Sequence, residues 1–113
     1  MEKAVNKVIL TGFAGGDAEV RNVSGNQRVA KVSLAVIEGF RNSGDDLRKT
    51  QWFNLTFWNA RADIAEAKIK KGVRFSIEGR LQTGSYEAKD GTKRYTTEIV
   101  VSEIAFDEER VAS

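Results

Sequence analysis

The sequence predicts an all-β domain, a five-stranded barrel with one helix between its third and fourth strands. Three observations carry that prediction. Apolar and polar residues alternate in several short segments, the period-two signature of half-buried strands. One Ala-rich segment, 60–71, departs from that period and reads as a helix. The chain has 113 residues with no Cys, no His and no Pro, a size that fits one domain able to fold without disulfide or metal staples.

Taken in order, Val5 to Thr11 reads as the first strand, and Gly12-Phe13-Ala14-Gly15-Gly16-Asp17 as a tight bend. The bend is neither a Walker loop nor a dinucleotide fingerprint, because no Lys-Ser/Thr follows and no helix opens. Ala18 to Val23 continues extended, and Ser24-Gly25-Asn26-Gln27 is a turn. Val29 to Ile37 alternates, with Ala30, Val32, Leu34 and Val36 on one side and Lys31, Ser33 and Ala35 on the other. Gly39 to Lys49 reads as a polar loop. Asn59 has the chemistry of a helix N-cap, Ala60, Ile64 and Ala67 share one helix face, and Gly72 suits the stop. Lys68, Lys70 and Lys71 complement the negative end of the helix dipole.

Val73 to Leu81 alternates again, and Gly79 on its apolar side predicts a bulge or a sharp bend. Thr83 to Thr92 reads as a long hairpin with Asp90-Gly91 near its tip, and Tyr95 to Val101 as the last strand. The domain is expected to span residues 1–106, with 107–113 as a short polar tail. Three strand regions, a helix and two further strands are the order of the oligonucleotide/oligosaccharide-binding barrel, the OB-fold. Such barrels bind along the face of strands two and three and the adjoining loops.

The third strand, Gln51 to Trp58, points to chemistry. Phe53, Leu55 and Phe57 make its apolar face, while Trp52, Asn54, Thr56 and Trp58 make the other. Two indoles on a polar face need a partner. Either they pack against a second layer or subunit, or they stack unpaired bases, at roughly 1–3 kcal/mol per base. In the barrel arrangement Phe40, in the loop after strand two, and Tyr86, in the loop between strands four and five, join them as loop aromatics without apolar neighbours. Basic residues interleave: Lys7, Arg21, Arg28, Lys31, Arg41, Arg48, Lys49, Arg74, Arg80, Lys89, Lys93 and Arg94. Phosphate neutralisation by such groups supplies most non-specific affinity for nucleic acid. The net charge is only +2, so the argument rests on where the charges fall.

Other classes find little footing. Without Cys or His, thiol chemistry, the commonest general base and the commonest metal ligands are missing. No clustered carboxylate pair stands in for them, and neither an enzyme, a cofactor nor a metal is expected. No apolar run approaches the ~20 residues that cross a bilayer, so no membrane association is expected.

Several segments resemble, in order, those of the bacterial single-stranded DNA-binding proteins. They are Asn6-Lys7-Val8-Ile9-Leu10-Thr11-Gly12, Asp17-Ala18-Glu19-Val20-Arg21, Val29-Ala30-Lys31-Val32-Ser33-Leu34-Ala35 and Thr50-Gln51-Trp52. Lys71-Gly72, Ile77-Glu78-Gly79-Arg80-Leu81, Asp90-Gly91 and Arg94-Tyr95-Thr96-Thr97-Glu98-Ile99-Val100-Val101 complete the set. The resemblance implies a protein that coats single-stranded DNA in replication, recombination and repair, as a cytoplasmic, nucleoid-associated homotetramer. It places the family's base-stacking positions on Phe40, Trp52, Trp58 and Tyr86. Phe53 stands where the family often has a His that contacts a neighbouring subunit. Family members usually continue into a flexible linker and an acidic tip that recruits replication and repair enzymes. This sequence ends Glu109-Arg110-Val111-Ala112-Ser113, so enzyme recruitment is not expected of it. Two alternatives remain: a primosomal accessory protein of the same fold, and an OB-fold serving as a protein-interaction adaptor.

Overall fold

The computed structural model describes residues 4–42 and 45–106, and among these the side chains of 40–42 and 45–47 lie outside the description. The elements are β1 (Val8–Ala14), β2 (Glu19–Val23), β3 (Gln27–Asn42), β4 (Asp45–Trp58), α1 (Ala60–Lys68), β5 (Arg74–Glu87) and β6 (Lys93–Phe106). They form one sheet in the order β1-β5-β6-β4-β3-β2, and β1 also pairs with β3. That extra pairing closes a ring of five, β1-β5-β6-β4-β3, with β2 continuing along β3 after the bend. This is the OB-fold barrel, with one helix among the described residues, between β4 and β5, as the sequence predicts. Closure removes the sheet edges that would otherwise invite aggregation.

The barrel closes where the alternation points inward. Ala30, Val32 and Leu34 of β3, Leu55 and Phe57 of β4, Phe75 and Ile77 of β5, and Ile99 and Val101 of β6 are buried together. β4 and β6 meet in parallel at Leu55↔Ile99 and Thr56↔Val100, whereas the other pairings are antiparallel. At the β1–β3 seam a Cβ on Gly12 would collide with the Ala35 carbonyl, so glycine lets the two backbones approach. Gly79 sits at the predicted irregularity, where the β5–β6 register shifts between Glu78 and Gly79.

Four local readings change. Within the segment read as a loop, 39–42 and 45–49 are strand residues, paired from Gly39↔Arg48 to Asn42↔Asp45 as the ends of β3 and β4. Tyr86, read as a loop residue, lies in β5, which runs to Glu87 opposite Lys93. The bend after β1 begins later, since Phe13 and Ala14 are still strand residues. The helix buries Ala62, Ala65 and the following Ile69 rather than the face of Ala60, Ile64 and Ala67; Ile64 is exposed. Small side chains on the buried face let the helix sit close over the barrel end, and the bulkier Ile64 faces out.

Asn59 does occupy the N-cap position, but without a side-chain cap bond and with φ 54° and ψ −114°, a positive-φ conformation outside the left-handed helical well. Its Oδ1 instead accepts the Arg28 backbone N–H at 3.0 Å, and its own N–H donates to the Arg28 carbonyl at 2.8 Å. Asn59 thereby ties the end of β4 to the start of β3. The tail, 107–113, lies outside the described residues.

Candidate nucleic-acid interface

Residues directly opposite one another in a ladder share a sheet face, so the registers assemble the outer face row by row. One row runs Arg21–Val29–Trp58 across β2, β3 and β4. The next runs Glu19–Lys31–Thr56–Val100, reaching β6. Ser33–Asn54 follows, then Phe13–Ala35–Trp52 across β1, β3 and β4, and at the far end Gly39–Arg48. Along β6 the same face carries Val100, Glu98, Thr96 and Arg94, and Arg94 pairs with Tyr86. Trp52, Trp58 and Tyr86 therefore lie on one continuous outer surface. Their exposures are 62%, 37% and 55%, enough to leave ring area open on each.

The two indoles are seated differently. Trp52 lies over the turn after β1, where a Cβ built on Gly15 would come within 2.6 Å of the ring atom Cζ3. Its cross-strand partner Ala35 is buried although it points outward. Gly15 is thus a flat seat for the ring. Trp58 pairs with Val29, which is also buried on the outer face. Its lower exposure reflects a ring that covers its neighbour.

Between the indoles lies a polar cluster. Lys31 Nζ donates to Glu98 Oε2 at 2.9 Å and to Thr56 Oγ1 at 3.0 Å, and Thr56 Oγ1 donates to the same Glu98 oxygen at 2.7 Å. Thr56 is buried with its hydroxyl satisfied, as a buried polar group must be. The Lys31 hydrogen bond, assisted by Thr56, outweighs partial desolvation and holds the Glu98 carboxyl below the ordinary carboxylate range. A cleft of about 600 Å³ opens beside the cluster, lined by Trp52, Gly15, Asp17, Glu19, Lys31 and Glu98 among others. Three carboxylates against one ammonium make this cleft a poor place for a phosphate.

The sequence-predicted cations divide into two groups. Four are engaged in ion pairs. Lys7 faces Glu78 at 3.8 Å, Lys31 is held by Glu98, Arg28 forks onto Asp63 and onto Glu66, the latter at 2.9 Å, and Arg94 faces Asp90 at 3.9 Å. The Glu66 hydrogen bond leads in raising the Arg28 pKa above its usual value. Among the described residues Arg21, Arg48, Lys49, Arg80 and Lys89 form no ion pair. Arg21 and Arg48 occupy the outer-face rows at either end of the Trp-bearing stretch. Arg74 stands on β5 opposite Phe13, and Lys93 Nζ lies 5.7 Å from the Tyr95 ring centroid. The side chains of Phe40 and Arg41 lie outside the described residues, although their backbones pair with Leu47 and Asp46. Sequence reasoning placed Thr56 on this face but missed Phe13, Gly15 and Glu98 as parts of it.

A closed OB barrel with exposed aromatic rings on its outer β3–β4–β6 face defines a class of polymer-binding modules. The family model described as the single-strand binding protein family matches residues 5–107, and the chain belongs to that family. The family consists of binding proteins rather than enzymes. The single-stranded DNA-binding protein 1 of Chlorobaculum tepidum is 42% identical over 106 residues, covering 92% of this chain and 65% of the relative. This chain thus spans about two-thirds of that relative's length. Among solved structures, the SSB of Plasmodium falciparum in complex with single-stranded DNA superposes with a TM-score of 0.83 at 27% identity, covering 94% of this chain and 97% of the other.

Proposed function

We propose that the chain binds single-stranded DNA without sequence preference and coats it during replication, recombination and repair. Bases stack on Trp52, Trp58 and Tyr86, with Phe40 as a fourth position carried by the family resemblance. Arg21 and Arg48 lead the phosphate contacts, with Arg41, Lys49, Arg74, Arg80, Lys89 and Lys93 around them. Lys7, Arg28 and Lys31 serve the fold first. The observation that carries this reading is the set of three open rings on one face, since stacking on rings is tolerant of sequence. The relatives' names, each specifying single-stranded DNA, support it. Homotetramer formation belongs to the same proposal. Val5, just before β1, and Ile9, within it, are exposed at 88% and 64% and are apolar surface suited to a second copy.

Both tryptophans are natural probes. Their fluorescence is expected to quench on titration with an unstructured single-stranded oligonucleotide. Affinity should fall with salt at about −0.7 in log–log slope per neutralised phosphate. Duplex should compete poorly, because its bases are already stacked. Equal affinity for duplex and single strand would overturn the proposal, and unchanged fluorescence would favour the adaptor reading.

A further inference from the structure

We infer that Phe13 is an additional base-stacking position, extending the single-strand track from Trp52 across β3 onto β1. The inference rests on the proposed function and adds to it a residue outside the four aromatics already named. Phe13 is an outward residue of β1, between the buried Gly12 and Ala14, and is 39% exposed. Its register partner on β3 is Ala35, whose partner on β4 is Trp52. The two rings thus flank one strand, about 10 Å apart by strand spacing. Between them Ala35 offers only a methyl group, so the floor is low and both rings rise above it. The Trp52 ring reaches over Gly15, two residues beyond Phe13 on the same side of the chain. Trp52 and Phe13 thus present two rings to the same outer face, one on either side of β3.

Charge favours this direction for the track. On the other side of Trp52 the cleft is acidic, with Asp17, Glu19 and Glu98 around a Lys31 already paired. Beyond Phe13 the next register partner is Arg74 on β5. A strand leaving Trp52 over Ala35 thus moves away from Glu19 and Glu98 toward the strand that carries Arg74, whose side chain has an interaction of its own. A second copy of the chain is the competing occupant of this patch, and the test separates the two.

The full chain is titrated with short oligo(dT) while its mass is followed by light scattering. Phe13→Leu keeps apolar bulk but removes the flat ring, and Phe13→Tyr keeps the ring. Phe13→Leu should weaken binding about fivefold or more, the lower range for one lost stack. Phe13→Tyr should bind like the parent, and both variants should keep the parent's mass. Where Phe13→Leu fails to fold, Phe13→Trp in a Trp52→Phe, Trp58→Phe background supplies a direct probe. Its new indole should quench on saturation with oligo(dT). Parent-like affinity in Phe13→Leu, an unquenched new indole, or a lost stack accompanied by a drop in mass would each overturn the inference. If the parent itself fails to bind oligo(dT), the proposed function falls and this inference with it.

Discussion

The two faces of β4 use the same kinds of residue for opposite ends. Inward, Leu55 and Phe57 are completely buried among β3, β5, β6 and the helix. Outward, Trp52 and Trp58 keep much of their ring area in water. Hydrophobic character is shared, so it cannot separate the roles. The seats separate them. Phe57 is enclosed by other apolar side chains, whereas Trp52 lies over Gly15 and opposite Ala35 and stays 62% exposed. A core ring acts through enclosure, and a binding ring through the side left open.

The largest expected effect breaks the inner face. Phe57→Ala removes a fully buried ring and leaves a cavity that the barrel cannot collapse into, costing about 3–5 kcal/mol of stability. Thermal melts should show the loss, while binding of single-stranded DNA well below the new Tm stays near the parent's. On the outer face the pattern should invert. Trp52→Ala should weaken DNA binding by about 1–3 kcal/mol and change stability by no more than ~0.5 kcal/mol. Melts showing Trp52→Ala as damaging as Phe57→Ala would erase the distinction between the faces. Trp58→Ala should fall between them, with a smaller binding loss and a measurable stability loss, because its ring covers Val29.

Gly15→Ala sharpens the comparison without touching an aromatic. Gly15 lacks a positive φ, so a methyl group there is opposed by the Trp52 ring and not by backbone strain. The indole must tilt off its seat. A binding loss smaller than that of Trp52→Ala is expected, with a shifted emission maximum of the free protein reporting the moved ring. Parent-like emission and affinity would mean that the seat is dispensable.

The alternation of β4 was legible because a strand with one buried face writes its pattern in period two, and the barrel order followed from counting such segments. The strand ends at 39–42 and 45–49 were not, since Phe40 and Leu47 are isolated among polar residues and glycine, and such mixed runs look alike in loops and solvated ladders. The helix face was misread because Ile64 looks like core, while the barrel end needs the small Ala62 and Ala65 for close approach. Phe13 was hidden by the glycines around it, which suggested a bend one turn too early. Thr56 and Glu98 are 42 residues apart, and only the parallel β4–β6 contact brings them together. Nothing local to either residue announces that pairing.

That pairing yields the smallest and least intuitive prediction. Lys31 sits on the outer face but is held by Glu98, so it should contribute little to phosphate neutralisation in the parent. Glu98→Gln removes the anion and frees the ammonium, and also lowers the negative charge of the cleft. Affinity for single-stranded DNA should rise at low salt, and the log–log salt slope should steepen by about 0.7, the share of one additional phosphate. The same substitution has a signature in acid. The Glu98 carboxyl is held below its ordinary value in the folded state, so the unfolded chain takes up its proton first as pH falls. Its stabilising contribution is complete above the ordinary carboxylate range, near pH 4.3, and is lost as pH drops through the lower folded value. A glutamine has no such loss. Melting temperatures of parent and Glu98→Gln should therefore be furthest apart at neutral pH and converge as pH falls below about 4. Parallel Tm curves, together with an unchanged salt slope, would show that Lys31 is not restrained by Glu98 and that the centre of the face is open to phosphate after all.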